Sequence, residues 1–232
     1  MEFTKSLIKG KLIKRYKRFF ADIKLDKEIV TAHCPNTGSM KGLLDEGNDV
    51  FVLPNNNPKR KLKFGLEIIK TRNNLVGVNT HMANRITQHG LENNLIKELQ
   101  NNDLIKPEVF FNKETRFDFL LEKKKQKIFL EVKNVTLFRD KNTAEFPDAT
   151  TTRGSKHLLT LIDAIKKGYK SYLLFLVQIQ NMEKFKIAKD IDNEYYNNYL
   201  IAKKAGVKFL AYRCNISSKK IFIDKKLKII DD

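Results

Sequence analysis

Arg116-Phe117-Asp118-Phe119-Leu120-Leu121 and Lys127-Ile128-Phe129-Leu130-Glu131-Val132-Lys133, separated by the polar loop Glu122 to Gln126, decide how this chain is read. Both runs are apolar around isolated charges, and the charged loop between them predicts a β-hairpin. Side chains alternate faces along a strand, so Glu131 shares a face with Lys133, and Asp118 with Arg116. A hairpin symmetric about its loop sets Asp118 opposite Glu131. It also sets Phe117, Phe119 and Leu121 against Val132, Leu130 and Ile128 on the other face. Carboxylates and a lysine within hydrophobic strands are costly unless they pair with each other, a metal or a ligand. The pattern is satisfied either by a site or by a cross-strand ion pair contributing about 0.2–1 kcal/mol.

Outward from the hairpin, helical and strand periods alternate. Ile86 to Leu99 places Leu91, Leu95, Ile96 and Leu99 on one helical stripe, and Val109 to Phe111 follows as a short strand. After a long loop from Phe138 to Arg153, Ser155 stands as the cap of a helix through Lys167, closed by Gly168. Tyr172 to Ile179 is nearly continuous apolar sequence, as in a strand buried on both faces. Tyr195 to Ala205 reads as a helix and Val207 to Tyr212 as another buried strand. The expected order is α-β-β-β-α-β, over residues 81–232. Residues 1–80 instead show short alternating runs: Phe3 to Tyr16, Arg18 to Leu25, Ile29 to His33, Asp49 to Leu53, Leu62 to Thr71 and Leu75 to Val78. With one small helix between the third and fourth, from Ser39 to Leu44, these strands suggest an OB-type barrel. The expected fold class is therefore mixed α/β, an OB-like β-barrel followed by an α/β layered core.

Of the 232 residues, 41% are hydrophobic and 10% aromatic, which excludes a disordered chain. No apolar run approaches the roughly 20 residues needed to span a bilayer. The amino terminus lacks the basic-then-apolar layout of a secretion signal. Cys34 and Cys214 are two widely separated cysteines, without zinc-ligand spacing. A cytoplasmic protein with reduced thiols and no membrane partner is expected. The formal charge of +18 favours a polyanion. Lysine outnumbers arginine 36 to nine, so base composition of the genome contributes to that excess. Residues 1–80 carry 16 basic and 8 acidic side chains, residues 81–232 carry 29 and 19, so the first part is the more basic per residue.

Carboxylate oxygens are hard ligands suited to Mg²⁺ or Mn²⁺. A divalent ion on Asp118, Glu131 and the Val132 carbonyl would activate water and polarise a phosphodiester, with Lys133 orienting that water or stabilising the charge on phosphorus. Asp118, a gap, then Glu131-Val132-Lys133 on the second and third strands resembles the PD-(D/E)XK nuclease superfamily, although Phe117 replaces the usual proline. That resemblance implies a glutamate on the first helix, for which Glu92 is the match. A second resemblance spans most of the chain. Its blocks are Arg15-Tyr16-Lys17-Arg18-Phe19, Cys34-Pro35-Asn36-Thr37-Gly38-Ser39-Met40, Gly77-Val78-Asn79-Thr80, Glu131 through Leu137, and Phe146-Pro147-Asp148-Ala149 through Arg153-Gly154 to Lys156-His157-Leu158. These are similar to the signatures of the sugar fermentation stimulation protein A (SfsA) family. It implies an OB-like domain joined to a nuclease-type domain, with DNA binding. Two functions stay open: a Mg²⁺- or Mn²⁺-dependent deoxyribonuclease, and a non-enzymatic DNA-binding regulator of sugar (maltose) metabolism that retains the nuclease fold. Two carboxylates facing a polyanion would repel it without a metal, which favours the enzyme.

Arg15, Lys17 and Arg18 interleave with Tyr16, Phe19 and Phe20, a pattern suited to phosphate contacts and base stacking, largely without sequence preference, or equally to a barrel strand. The turn-rich Cys34 to Ser39 segment could cradle an anion with its backbone amides. Arg153 and Lys156 at the start of a helix suit phosphate. His157 has the pKa range for proton transfer, or for a structural hydrogen bond.

Overall fold

The computed structural model describes residues 1–231. The first six strands are β1 (Ile8–Tyr16), β2 (Phe20–Lys24), β3 (Ile29–His33), β4 (Asp49–Pro54), β5 (Phe64–Lys70) and β6 (Leu75–Gly77). β2 and β4 flank β1, β3 pairs with β2, and β5 pairs with β4. A parallel bridge between His33 and Gly65 joins β3 to β5 and closes five strands into a barrel. Alternation supplies its core: Leu12, Ala21, Ile23, Ala32, Val50, Val52 and Leu66 point inward and are buried. The helix expected from Ser39 to Leu44 is only a turn at residues 41–43.

The second part contains α1 (Met82–Glu92), β7 (Leu104–Phe110), β8 (Arg116–Lys123), β9 (Gln126–Val135), β10 (Leu137–Phe138) and β11 (Thr143–Phe146). It continues with α2 (Thr152–Lys166), β12 (Lys170–Val177), β13 (Lys184–Ile187), α3 (Asn193–Lys204), β14 (Lys208–Ile216), β15 (Ile221–Lys226) and β16 (Lys228–Ile229). The main sheet runs β15-β14-β12-β9-β8-β7, with β9, β12 and β14 parallel. Parallel strands covered on both faces need apolar side chains on both. Accordingly Leu173, Phe175 and Val177 pack with Leu158, Leu161, Tyr195 and Tyr199 of α2 and α3, whereas Leu174 and Leu176 pack with Met82, Ile86 and Leu91 of α1. The order α-β-β-β-α-β holds for α1, β7, β8, β9, α2 and β12, and the helix and strand expected at Tyr195–Ala205 and Val207–Tyr212 follow as α3 and β14.

Element boundaries depart from the sequence expectation at β1 and β7, which start at Ile8 and Leu104 rather than Phe3 and Val109, and more consequentially at α1, α2 and the loop after Phe138. α1 begins four residues earlier and ends at Glu92, because Asn94 takes a left-handed φ of 55°. Leu95 leaves the stripe and Leu99 falls in a short 3₁₀ turn, Lys97–Leu99. α2 is capped by Thr151, whose hydroxyl accepts from the Gly154 amide at 3.0 Å, so Ser155 lies buried inside the helix. The long loop after Phe138 contains β11, which joins β10, β13 and β16 in a small second sheet. No helix among the described residues is long and apolar enough to cross a membrane.

Barrel and α/β core share one hydrophobic cluster that includes Leu12, Val50 and Leu66 together with Phe117, Phe175 and Phe185. The Pro35–Met40 segment forms the polar part of this seam. Gly38 donates to the Asn36 side chain at 2.8 Å, while the Ser39 hydroxyl reaches the Asp148 main-chain carbonyl at 2.8 Å and its carboxylate at 3.3 Å, and the Met40 amide donates to the same carboxylate at 3.3 Å. Those contacts correct the anion-cradle expectation: the carboxylate on these groups belongs to Asp148 of the second part. A Cβ at Gly38 would lie 2.4 Å from the Asp148 carboxylate. Gly38→Ala is therefore expected to destabilise the protein by about 1–3 kcal/mol, read as a lower thermal midpoint.

Candidate active site

β8 and β9 pair in the register that a symmetric hairpin gives, from Lys123↔Gln126 to Phe119↔Leu130. Beyond Phe119 the ladder forks. Asp118 Oδ2 accepts the Val132 amide at 2.7 Å, so a side-chain oxygen stands where a strand carbonyl would. Its Oδ1 accepts from Asn84 of α1 at 2.7 Å. Asp118 lies beyond the last β8–β9 pair but lines the same cleft as Glu131, and Phe117 does not meet Val132. The fork turns it to the α2 side of the sheet, where its ring lies 5.0 Å from Phe129 and 5.5 Å from Phe111.

Glu131 is 2% exposed. Its Oε1 receives Lys133 Nζ at 2.7 Å and lies in a short contact with His157 Nδ1 of α2. Its Oε2 is buried without any hydrogen-bond partner among the described residues. Lys133 Nζ is also 3.2 Å from His157 Nδ1, and Arg153 Nε lies 3.5 Å from His157 Nε2. Burial works against the Glu131 charge, but Lys133 and His157 outweigh it and hold the pKa below the ordinary carboxylate value. Asp118 responds oppositely. Burial first, then the Glu131 charge, push its pKa from 3.8 to about 7, against the pull of the Val132 amide, Asn84 and Lys133. One carboxylate is thus held ionised and the other is left short of positive charge.

These groups line an open cleft of about 760 Å³ that also contains Arg153, Lys156, Arg116 and Phe110. The structure thus brings Asp118, Glu131, Val132, Lys133, Arg153 and Lys156 together. It does not bring Glu92 to them. Glu92 is exposed at the end of α1, bonded to Gln88 at 2.8 Å, and lies about 12 Å along the helix from Asn84, the α1 residue that does reach Asp118. Sequence reading missed Asn84 because α1 was started too late. His157 was seen but not joined to Glu131, although Arg153 and His157 at i and i+4 mark one helical face.

The barrel cations divide differently. Arg15 donates to the Asn36 carbonyl at 2.7 Å and to the Arg18 carbonyl at 3.1 Å, bracing the Pro35 segment, so its fork is committed within the protein. Lys17 and Arg18 are exposed in the β1–β2 turn, with left-handed φ of 47° and 62°.

The family model for the sugar fermentation stimulation protein RE domain matches residues 81–220, and that for the SfsA N-terminal OB domain matches residues 13–78. The chain belongs to the sugar fermentation stimulation protein family. Its homolog from Pelagibacter ubique is 78% identical over 231 residues, covering 100% of both chains, and that from Pseudoalteromonas atlantica is 43% identical, covering 99% of this chain and 100% of the other. A structure of Pyrococcus furiosus SfsA in complex with Ca²⁺ superposes with a TM-score of 0.89 at 25% identity, covering 100% of this chain and 98% of that one. The order of the two family models, an OB domain before the RE domain, is the order of barrel and α/β core described above.

Proposed function

We propose that the chain is a DNA-binding nuclease that hydrolyses phosphodiester bonds with Asp118, Glu131 and Lys133 and requires Mg²⁺ or Mn²⁺. The carrying observation is the unpartnered Oε2 of buried Glu131 beside Asp118, whose pKa stands near 7. A buried acceptor left unsatisfied costs about 1–3 kcal/mol, and a second carboxylate beside it adds repulsion. A hard divalent cation on Asp118, Glu131 and the Val132 carbonyl fits this donor set, and a relative of the same fold was solved with Ca²⁺. When bound, such an ion supplies Lewis acidity toward the phosphate and a more acidic water.

The remaining work falls to the chain. Lys133, with 13% side-chain exposure and tied to Glu131, presents a fixed ammonium to the charge that grows on the phosphoryl oxygens. His157 occupies Oε1 of Glu131 and thereby leaves Oε2 for the cation. Arg153 and Lys156 on the cleft wall attract and orient the backbone. Among the described residues Lys156 pairs only with exposed Glu114, at 3.0 Å, a contact that a phosphate displaces at little cost. Exposed Lys17 and Arg18 extend basic surface on the barrel.

Supercoiled plasmid incubated with Mn²⁺ is expected to be nicked, and the same mixture with EDTA to stay intact. DNA binding without cleavage in any divalent ion would instead leave a regulator that retains the nuclease fold. Lys133→Met is expected to lower the single-turnover rate by about 10²–10³-fold while changing DNA affinity little.

A further inference from the structure

A second groove, of about 680 Å³, lies on the barrel and shares no residue with the carboxylate cleft. Its volume suits a ligand of nucleotide size. Phe19, at the end of the β1–β2 turn, is 43% exposed there. Its ring lies near-parallel to His33, at 20° and 6.4 Å, and the other faces of the groove carry Phe20 and Phe64. Burial, with the nearby His81 and Arg60 charges, holds the His33 pKa below its ordinary value, so the imidazole is a neutral ring near pH 7. Lys5, Arg60 and Lys61 surround these rings, and among the described residues none of the three forms an ion pair. The groove's single acid, Glu67, is 5% exposed, and both its oxygens accept from Asn79 at 2.9 Å.

A half-exposed aromatic beside three unpaired cations is poorly placed in water alone. Together they offer what an unpaired base with its phosphates needs, a stacking face and positive charge along the backbone. Tyr16 is no substitute, since its ring stacks on Phe20 at 5.6 Å and its hydroxyl is held by Asp22 at 3.1 Å. A base inside a duplex cannot offer its face to Phe19. We infer that this groove binds single-stranded DNA, with a base stacked on Phe19 and its flanking phosphates on Arg60, Lys61 and Lys5. The substrate of the nuclease-type cleft is then DNA that carries an unpaired segment, an inference that rests on the nuclease reading for its consequence but not for its test.

The test uses the full chain in EDTA, where cleavage is silent. Fluorescence anisotropy compares a labelled oligo(dT) 20-mer with a 20-base-pair duplex. Phe19→Ala is expected to weaken single-strand binding about tenfold or more and duplex binding less than about twofold. Arg60→Glu, on an exposed loop, is expected to weaken single-strand binding and flatten its salt dependence. Unchanged single-strand affinity in both variants, or equal losses for both DNAs, would overturn the groove assignment. Thermal unfolding at the wild-type midpoint shows that either variant is folded. Mn²⁺-dependent plasmid nicking by wild type is scored separately. Nicking with no groove effect removes this inference alone, whereas a groove effect without nicking removes the nuclease reading alone.

Discussion

Asp118→Asn is expected to reduce Mn²⁺-dependent DNA cleavage by at least about 100-fold. Losing a partner of a metal ligand typically costs 10–100-fold, so loss of a ligand sets that as the lower bound. The geometry should survive, because an asparagine oxygen can still accept the Val132 amide that Asp118 accepts at 2.7 Å. Binding of duplex DNA in EDTA should be unchanged or slightly tighter, since one negative charge leaves a cleft lined by Arg153, Lys156 and Arg116. Cleavage assays at saturating Mn²⁺ with parallel binding curves separate these effects. A variant that cuts at the wild-type rate would remove Asp118 from the chemistry.

The same substitution should stabilise the metal-free protein, with a sign fixed by linkage. Asp118 is raised from 3.8 to about 7, so between those pH values the folded chain holds a proton that the unfolded chain has lost. Stability contributed by this group is therefore present at low pH, falls by up to about 1.4 kcal/mol per pH unit as pH rises towards 7, and levels off above it. The total difference is up to about 4 kcal/mol. Urea unfolding of wild type and Asp118→Asn in EDTA at pH 5 and pH 8 checks this. The variant should gain most at pH 8, and Mn²⁺ at 100 times its Kd should return about 2.7 kcal/mol to the wild type. A constant difference at both pH values would mean that the carboxylate is not strained. With the expected gain at pH 8, activity and stability conflict at one residue, as expected where a site holds charge ready for a ligand.

Much of this was legible before any coordinates. Folding the two apolar runs symmetrically about the loop Glu122 to Gln126 gives the register observed from Lys123↔Gln126 to Phe119↔Leu130, and a one-residue slip would have sent Phe119, Leu121 and Leu130 to the wrong face. The doubly apolar run of β12 announced a central parallel strand. The fork beyond Phe119 was not legible, because a side-chain carboxylate replacing a ladder carbonyl leaves no trace in hydrophobic period. Asn84 was missed for a related reason. The apolar stripe placed on Leu91, Leu95, Ile96 and Leu99 moved α1 towards its own end and drew attention to Glu92, while the buried Met82, Ala83 and Ile86 show the true start. The contact of His157 with Glu131 depends on how α2 crosses β9, which local pattern does not encode. β11 and β13 escaped notice because four-residue strands with charged members, such as Lys184–Ile187, fall below the length at which alternation is distinctive.

The claim on which the rest depends is that Asp118 and Glu131 share one divalent cation. Isothermal titration of the full chain with Mn²⁺ at pH 7.5, without DNA, measures it most directly. The wild type should bind Mn²⁺, and Asp118→Asn and Glu131→Gln should each weaken that binding about 100-fold or more. Binding of equal affinity in all three proteins would contradict the shared site.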